Sequence, residues 1–296
     1  MITRAQAYAR IERALREFGV GMSALEARYL LCEAAEISQS SLLTSGEEPL
    51  RAQAEARLDA MVKRRLTGEP LARVLGHAEF WGLSLRVNAS VLDPRGDSET
   101  LIRAALELLE ERKAGPLRIL DLGTGSGALL CAILSECPNA FGVGVDVSFA
   151  AAHSALVNLH RCGLAARAAI MVSDWAAAIR GKFDLILSNP PYIVRADIAT
   201  LDVSVRDFDP HLALDGGMDG FEAYRLLCAQ LPQLLGPGGL AVFEAGAGQA
   251  AGISALFAQA GLHSLRNFRD YGGIERAVTG KYRFLTNFLV RPFTQG

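Results

Sequence analysis

The chain has 296 residues, half of them hydrophobic and 21% charged, with a formal net charge of −2. That length supports a large core and points to two domains, and the charge balance gives no general attraction for nucleic-acid phosphates. Five cysteines, Cys32, Cys131, Cys137, Cys162 and Cys228, are odd in number and lack metal-ligand spacing, which argues against a disulfide framework or a zinc site and fits a reduced, cytoplasmic protein. The amino terminus carries Arg4, Arg10 and Glu12 without an apolar h-region, and no apolar run approaches about 18 residues, so neither export nor a membrane span is expected.

From Thr3 to about Gly68 the apolar residues follow a helical period, at Leu25, Tyr29, Leu30 and Cys32 and again at Leu58, Met61 and Val62. Ser38 to Ser45, Gly46 and Pro49 divide this stretch into short helices, which predicts an all-helical domain over residues 1–76. Phe80, Leu83, Leu85 and Val87 then alternate around Gly82, the pattern of a short β-hairpin in a linker spanning 77–96. The third segment, 97–296, begins with a helical run from Leu101 to Leu109. Strands at Arg118–Leu122, Phe141–Val145, Ala169–Ser173 and Phe183–Ser188 follow, with helices ending near Glu136 and Cys162. A helix Phe221–Leu235, a strand Leu240–Phe243, a helix to Ala260, and strands near Leu265–Phe268 and Arg276–Thr279 complete the alternation. Strands and helices in that order call for an α/β fold with a mainly parallel sheet covered on both faces. The loop from Ile193 to Gly220 is too long for a mere connection and is read as functional, whereas the tail from Lys281 to Arg291 reads as solvated.

Between the first strand of that sheet and its helix stands Asp121-Leu122-Gly123-Thr124-Gly125-Ser126-Gly127. Glycines there let the backbone turn sharply and a ligand approach it, and free amides at a helix start favour polar or anionic groups. With Ala128 the run also satisfies the dinucleotide pattern, which keeps a nicotinamide-dependent oxidoreductase among the alternatives. The next strand ends in Asp146, placed to accept hydrogen bonds from ribose hydroxyls or, alternatively, to cap the helix starting near Ser148. The strand after it ends in Ser173-Asp174-Trp175, a carboxylate and an aromatic face suited to an adenine, or a surface Asp beside a core Trp. The five histidines are scattered without ligand spacing, so no metal is expected.

Ser188-Asn189-Pro190-Pro191-Tyr192 carries the sharpest chemistry. Two prolines cannot donate ladder hydrogen bonds, so the strand stops and leaves a stiff polar tip at the carboxyl edge of the sheet, where α/β folds bind ligands. The Asn189 side-chain oxygen and the Pro190 carbonyl can each accept one N–H of a planar NH₂ group while Tyr192 packs against it. Such a grip frees the nitrogen lone pair from conjugation and aims it at an electrophile, so a weakly nucleophilic amide or aromatic amine could attack a sulfonium methyl.

Together, Asp121 to Gly127, Asp146 and Asn189 to Tyr192 resemble class I S-adenosylmethionine-dependent methyltransferases that modify amino or amide nitrogens. With Gly68-Glu69-Pro70, Gly76, Glu79-Phe80-Trp81-Gly82-Leu83, Pro94-Arg95, Glu99 and Glu244-Ala245-Gly246 with Gln249, the chain resembles more narrowly the HemK/PrmC family, glutamine methyltransferases of peptide chain release factors. The resemblance implies a Rossmann-like, mainly parallel seven-stranded sheet preceded by a helical domain that recognises the protein substrate. It also implies S-adenosylmethionine as cofactor, lined by Gly123, Thr124, Gly125, Ser126, Gly127, Asp146, Trp175 and Asn189. Asn189, Pro190 and Tyr192 would be catalytic, and with Pro191 would hold the glutamine of a Gly-Gly-Gln loop. The implied partners are release factors, with no membrane and no direct nucleic acid.

Three stretches depart from the family's usual pattern. Asp93 stands for an isoleucine and Gly96 for a proline in Asp93-Pro94-Arg95-Gly96-Asp97-Ser98-Glu99; the usual aromatic is missing from Leu71-Ala72-Arg73; and Phe208-Asp209-Pro210 stands for Tyr-Glu-Pro. These departures leave open a ribosomal-protein glutamine methyltransferase, a nucleic-acid amino-group methyltransferase, and a protein that binds cofactor without turnover.

Overall fold

The structure, a computed structural model, describes residues 1–283. Most of the tail expected to be solvated therefore lies outside the described residues. In chain order the elements are α1 Arg4–Glu17, α2 Ser23–Ala35, α3 Gln39–Thr44, α4 Ala52–Arg65, α5 Leu71–Leu75, β1 His77–Phe80, β2 Leu83–Arg86 and α6 Glu99–Leu109. There follow β3 Arg118–Leu122, α7 Ala128–Glu136, β4 Phe141–Asp146, α8 Phe149–Arg161, β5 Ala168–Val172 and β6 Phe183–Ser188. The described chain closes with α9 Val203–Arg206, α10 His211–Leu214, α11 Glu222–Leu234, β7 Leu235–Glu244, α12 Ala250–Gln259, β8 Leu262–Arg269 and β9 Glu275–Tyr282. They form two compact units: residues 1–78, 86–93 and 199–210 in the first, and 79–85, 94–198 and 211 onward in the second.

The first unit is helical because its short elements can bury only one stripe each. Thr3 starts α1 with a capping box to Gln6, and Ala7, Ile11 and Leu15, four apart, face Ala27, Leu30, Leu31 and Ala34 of α2 and Leu58 of α4. Tyr29, expected on the apolar face, is exposed, whereas Leu30 and Cys32 are buried as expected, together with Ala27, Leu31 and Ala34. Residues 199–210, which belong to the long loop of the sequence reading, pack in this unit. The space beside Gly68 is taken by Val203 and Phe208.

One residue from each of the three departing stretches meets here. Arg73 is buried and pairs with Asp209 at 2.8 Å and Asp93 at 3.4 Å, and it also donates to the Val91 carbonyl at 2.8 Å. A buried aspartate and a buried arginine are each costly alone, but paired they offset one another. Because two carboxylates share one guanidinium, Arg73→Met removes the buried cation from both and is expected to cost about 3–5 kcal/mol in urea unfolding. Asp93→Ile leaves the close Arg73–Asp209 pair intact and is expected to cost less than half as much.

The second unit is a seven-stranded sheet in the order β5-β4-β3-β6-β7-β9-β8, parallel except for β9. Both faces are covered: Leu185 and Leu187 of β6 enter one core cluster with α6 and α7, and Ile186 enters the other with α11 and α12. Strand β7 begins five residues before the Leu240 expected from sequence. Leu235 pairs with Phe183, Gly236-Pro237-Gly238-Gly239 bulges, and the ladder resumes at Leu240 opposite Leu185. A Cβ on Gly239 would lie 2.8 Å from the Phe183 carbonyl oxygen, so the bulge requires glycine there. The turn of the β1–β2 hairpin holds Trp81 and Gly82 at positive φ, the two-residue geometry that matches strand twist. Trp81 donates from its backbone to Glu99 and from its indole to Glu136, both at 2.8 Å.

Candidate active site

Parallel register brings the carboxyl ends of four strands level. Leu122 lies beside Val145 and Ser188, and Ser188 lies beside Phe243, so Gly123, Asp146, Asn189 and Glu244 follow one another along one sheet edge. The chain runs outward from β3 to β5 and then returns to place β6 on the other side of β3. This reversal opens a crevice between β3 and β6, the switch point where doubly wound sheets take ligands.

On the β3 side, Gly123, Gly125 and Gly127 all have positive φ, but their surroundings differ. A Cβ on Gly123 would come within 3.3 Å of the Trp175 ring, and one on Gly127 within 3.1 Å of Ala155 in α8. A Cβ on Gly125 would meet nothing within 4 Å, so that residue is the part of the turn a ligand can approach. Asp146 fastens the turn: its two carboxylate oxygens accept from the backbone of Gly125 and of Ser148, each at 2.9 Å. The helix cap is Ser148, whose Oγ accepts from Ala151, so the capping role weighed for Asp146 falls to its neighbour. Each carboxylate oxygen of Asp146 retains a lone pair for hydroxyl donors. Ser126 is held by Asn158 of α8, which donates to its carbonyl at 2.8 Å. Trp175 is half-buried with φ of +43°, while Asp174 is exposed.

On the β6 side, Ser188 donates to the Leu122 carbonyl at 2.7 Å and locks the strand end against β3. The Asn189 side-chain nitrogen donates to Ser98 Oγ at 3.4 Å, and the same amide favours the charged form of Glu244. With the amide nitrogen turned toward Ser98, Oδ1 is the end left to accept. Pro190 is buried and Pro191 half-buried. Tyr192 packs on the core between β6 and β7, and burial, helped by the Glu244 charge, pushes its hydroxyl up to about 12, so it stays neutral. Its backbone is held in a glycine cage. Gln249 donates to the Tyr192 carbonyl at 3.0 Å, and a Cβ on Gly216 or Gly220 would come within 2.8 Å or 2.5 Å of that backbone.

Sequence reading did not assign roles to Ser98, Glu244, Tyr224 or Arg276. Glu244 is buried at the end of β7, accepts from Ser98 Oγ, and has its backbone carbonyl bound by the Tyr224 hydroxyl at 2.8 Å. Arg276 of β9 links the Ala245 carbonyl, Asp270 and Asp97 at 3.2, 3.2 and 3.4 Å. A buried carboxyl at a strand end within the Glu244-Ala245-Gly246 motif was the available signal; its partners are too distant in sequence to be read.

Asp121, beneath the glycine turn, is also fully buried. Thr124 Oγ1 donates to its Oδ2 at 2.6 Å, and Oδ1 has no hydrogen-bond partner. Burial raises this carboxyl from 3.8 to about 7, and the nearby Asp146 charge pushes the same way. A carboxyl raised on folding stabilises the protein below its unfolded value and loses that contribution as pH rises through the folded one. Stability is therefore expected to fall between pH 4 and pH 7, by on the order of 1 kcal/mol per pH unit from this group. Urea unfolding at pH 5 and pH 7.5 checks this: Asp121→Asn should show a smaller loss between the two conditions than the unmodified chain.

The sequence matches the family model of the PrmC N-terminal domain over residues 6–76 and that of the methyltransferase small domain over residues 99–213. It is 46% identical over 269 residues to a release factor glutamine methyltransferase of Bradyrhizobium diazoefficiens, covering 90% of this chain and 91% of that protein. A second relative of the same name, from Rhodospirillum rubrum, is 44% identical over 269 residues, covering 91% of this chain and 82% of that one. Among solved structures, a methyltransferase from Pyrococcus furiosus aligns with a TM-score of 0.51 at 18% identity, over 79% of this chain and 100% of the other. That likeness shows the Rossmann-like fold of class I methyltransferases. With identity this high over nearly all of both sequences, the chain belongs to the release factor glutamine methyltransferase family.

Proposed function

We propose that the protein methylates the side-chain amide nitrogen of a glutamine in a peptide chain release factor, using S-adenosylmethionine. The observation that carries this reading is Asn189: its amide nitrogen is tied back to Ser98, itself bound to the buried Glu244, which leaves Oδ1 as the acceptor beside the glycine turn. The residues of the turn fit the cofactor. Gly125 leaves open space, the Trp175 ring lies against Gly123, and Asp146 can accept from ribose hydroxyls while holding the turn. Bound S-adenosylmethionine would supply an electrophilic methyl carbon on a positively charged sulfur, which keeps the electron pair of the S–C bond when the methyl is transferred.

The residues of the chain supply the orientation. An amide nitrogen is a poor nucleophile because its lone pair is delocalised into the carbonyl. Asn189 Oδ1 and the Pro190 carbonyl each accept one N–H and draw both hydrogens to one side, which strengthens as the nitrogen becomes pyramidal. Pro190 and Pro191 stiffen the backbone that carries these acceptors, and Tyr192 supplies a neutral, apolar wall for the flat group. As the new N–C bond forms, one amide hydrogen leaves as a proton to solvent. The first, helical unit is the part of the chain that selects the protein substrate in this reading. Five free cysteines agree with a cytoplasmic setting, and the net charge of −2 favours a protein over a nucleic acid as acceptor.

Radiolabelled S-adenosylmethionine incubated with purified release factors, ribosomal proteins and nucleic acid tests the substrate. Label is expected on release factors, and label on nucleic acid alone would overturn the proposal. Asn189→Ala is expected to lower kcat at least 100-fold, roughly the loss of a transition-state-specific contact, while calorimetry finds cofactor affinity within about tenfold.

A further inference from the structure

Resting on the reading of Asn189 as the acceptor of the target amide, we propose that Glu244 is a positioning residue that, with Ser98, decides which end of the Asn189 amide faces the substrate. The two ends of a primary amide are nearly equal in shape and opposite in hydrogen-bonding sense, so packing alone cannot tell them apart. An acceptor-only group can. An ionised carboxylate has no proton to give, so the Ser98 hydroxyl must direct its single hydrogen to Glu244. Ser98 Oγ then offers only lone pairs to Asn189 and is met by the amide nitrogen at 3.4 Å, so Glu244 acts on Asn189 through Ser98. The flipped amide would set Oδ1 against the lone pairs of Ser98 Oγ and present N–H groups to an incoming N–H.

Burial makes the arrangement enforceable. Glu244 and Ser98 are 2% and 5% exposed, so water cannot substitute for the missing donor of a flipped amide. The groups around the carboxyl come from four elements: Ser98 and Asp97 before α6, Asn189 and Tyr192 after β6, Tyr224 of α11, and Arg276 of β9. Asp97 disfavours its charge, and Arg276, Ser98 and Asn189 favour it. Burial outweighs these and pushes the carboxyl up to about 7. Below that value the carboxyl carries a proton, can donate, and no longer imposes a sense on Asn189. The orienting form is therefore gained as pH rises through about 7.

The test uses the full-length protein with Glu244→Gln, Ser98→Ala and Ser98→Thr. Methyl transfer to a release factor is followed from pH 5.5 to 8.5, cofactor binding is measured by calorimetry, and exchange of the Asn189 side-chain NH₂ protons is followed by NMR. Glu244→Gln is expected to lower kcat about tenfold or more, as the loss of one oriented interaction does, and to remove the rise in rate near pH 7, with cofactor Kd within about threefold. Ser98→Thr, which keeps the hydroxyl, restores most of what Ser98→Ala loses; if Glu244→Gln fails to fold, this pair decides. Wild-type kcat and pH profile in both Glu244→Gln and Ser98→Ala overturn the proposal. Should the unmodified chain label no protein, the glutamine reading fails, and proton exchange still decides: slow exchange at Asn189 in the parent and fast exchange in Glu244→Gln supports positioning by Glu244, and equal rates contradict it.

Discussion

The register of β6 between β3 and β7 is the constraint on which the site depends. Successive residues of β6 serve different cores, Leu185 and Leu187 on one face and Ile186 on the other. A slip of one residue would exchange those faces and move Asn189 by about 3.3 Å, further than any hydrogen bond tolerates. Ser188 secures the register at its functional end by donating to Leu122, one residue before the glycine turn. The two prolines then end the ladder where the acceptors are needed. One strand thus joins the packing of the core to the placement of two carbonyl oxygens.

Around that strand the protein keeps polar groups under cover where apolar ones would be more stable. Asp121 and Glu244 lie at or near the ends of β3 and β7, each buried and each with its carboxyl raised to about 7. Both bear on the site through a neighbour. Asp121 holds Thr124 inside the glycine turn, and Glu244 holds Ser98, which meets Asn189. Buried acids of this kind reduce stability near neutral pH and in exchange specify hydrogen-bond direction, which an apolar core cannot do.

Much of this architecture was legible in the sequence because its signals are local. Alternating strands and helices, glycines after β3, and prolines after β6 each follow from a few adjacent residues, and the structure draws Gly123 to Gly127, Asp146, Trp175 and Asn189 to Tyr192 to one sheet edge. What escaped was non-local. Ser98 and Glu244 are 146 residues apart and meet only through the fold. Asp93, Arg73 and Asp209 read as three separate departures from a family pattern, and the structure shows one compensated ion cluster. The early start of β7 was hidden by Gly236 to Gly239, which mark a loop in sequence and form a bulge in the sheet.

The central claim concerns two oxygen atoms and one nitrogen. A crystal structure of the protein with demethylated cofactor and a Gly-Gly-Gln peptide tests it directly. The glutamine nitrogen should lie about 3 Å from both Asn189 Oδ1 and the Pro190 carbonyl oxygen, with Asn189 Nδ2 turned toward Ser98 and Glu244. A glutamine seated in the crevice with its nitrogen away from those two oxygens, or with Asn189 Nδ2 turned toward it, would contradict the account.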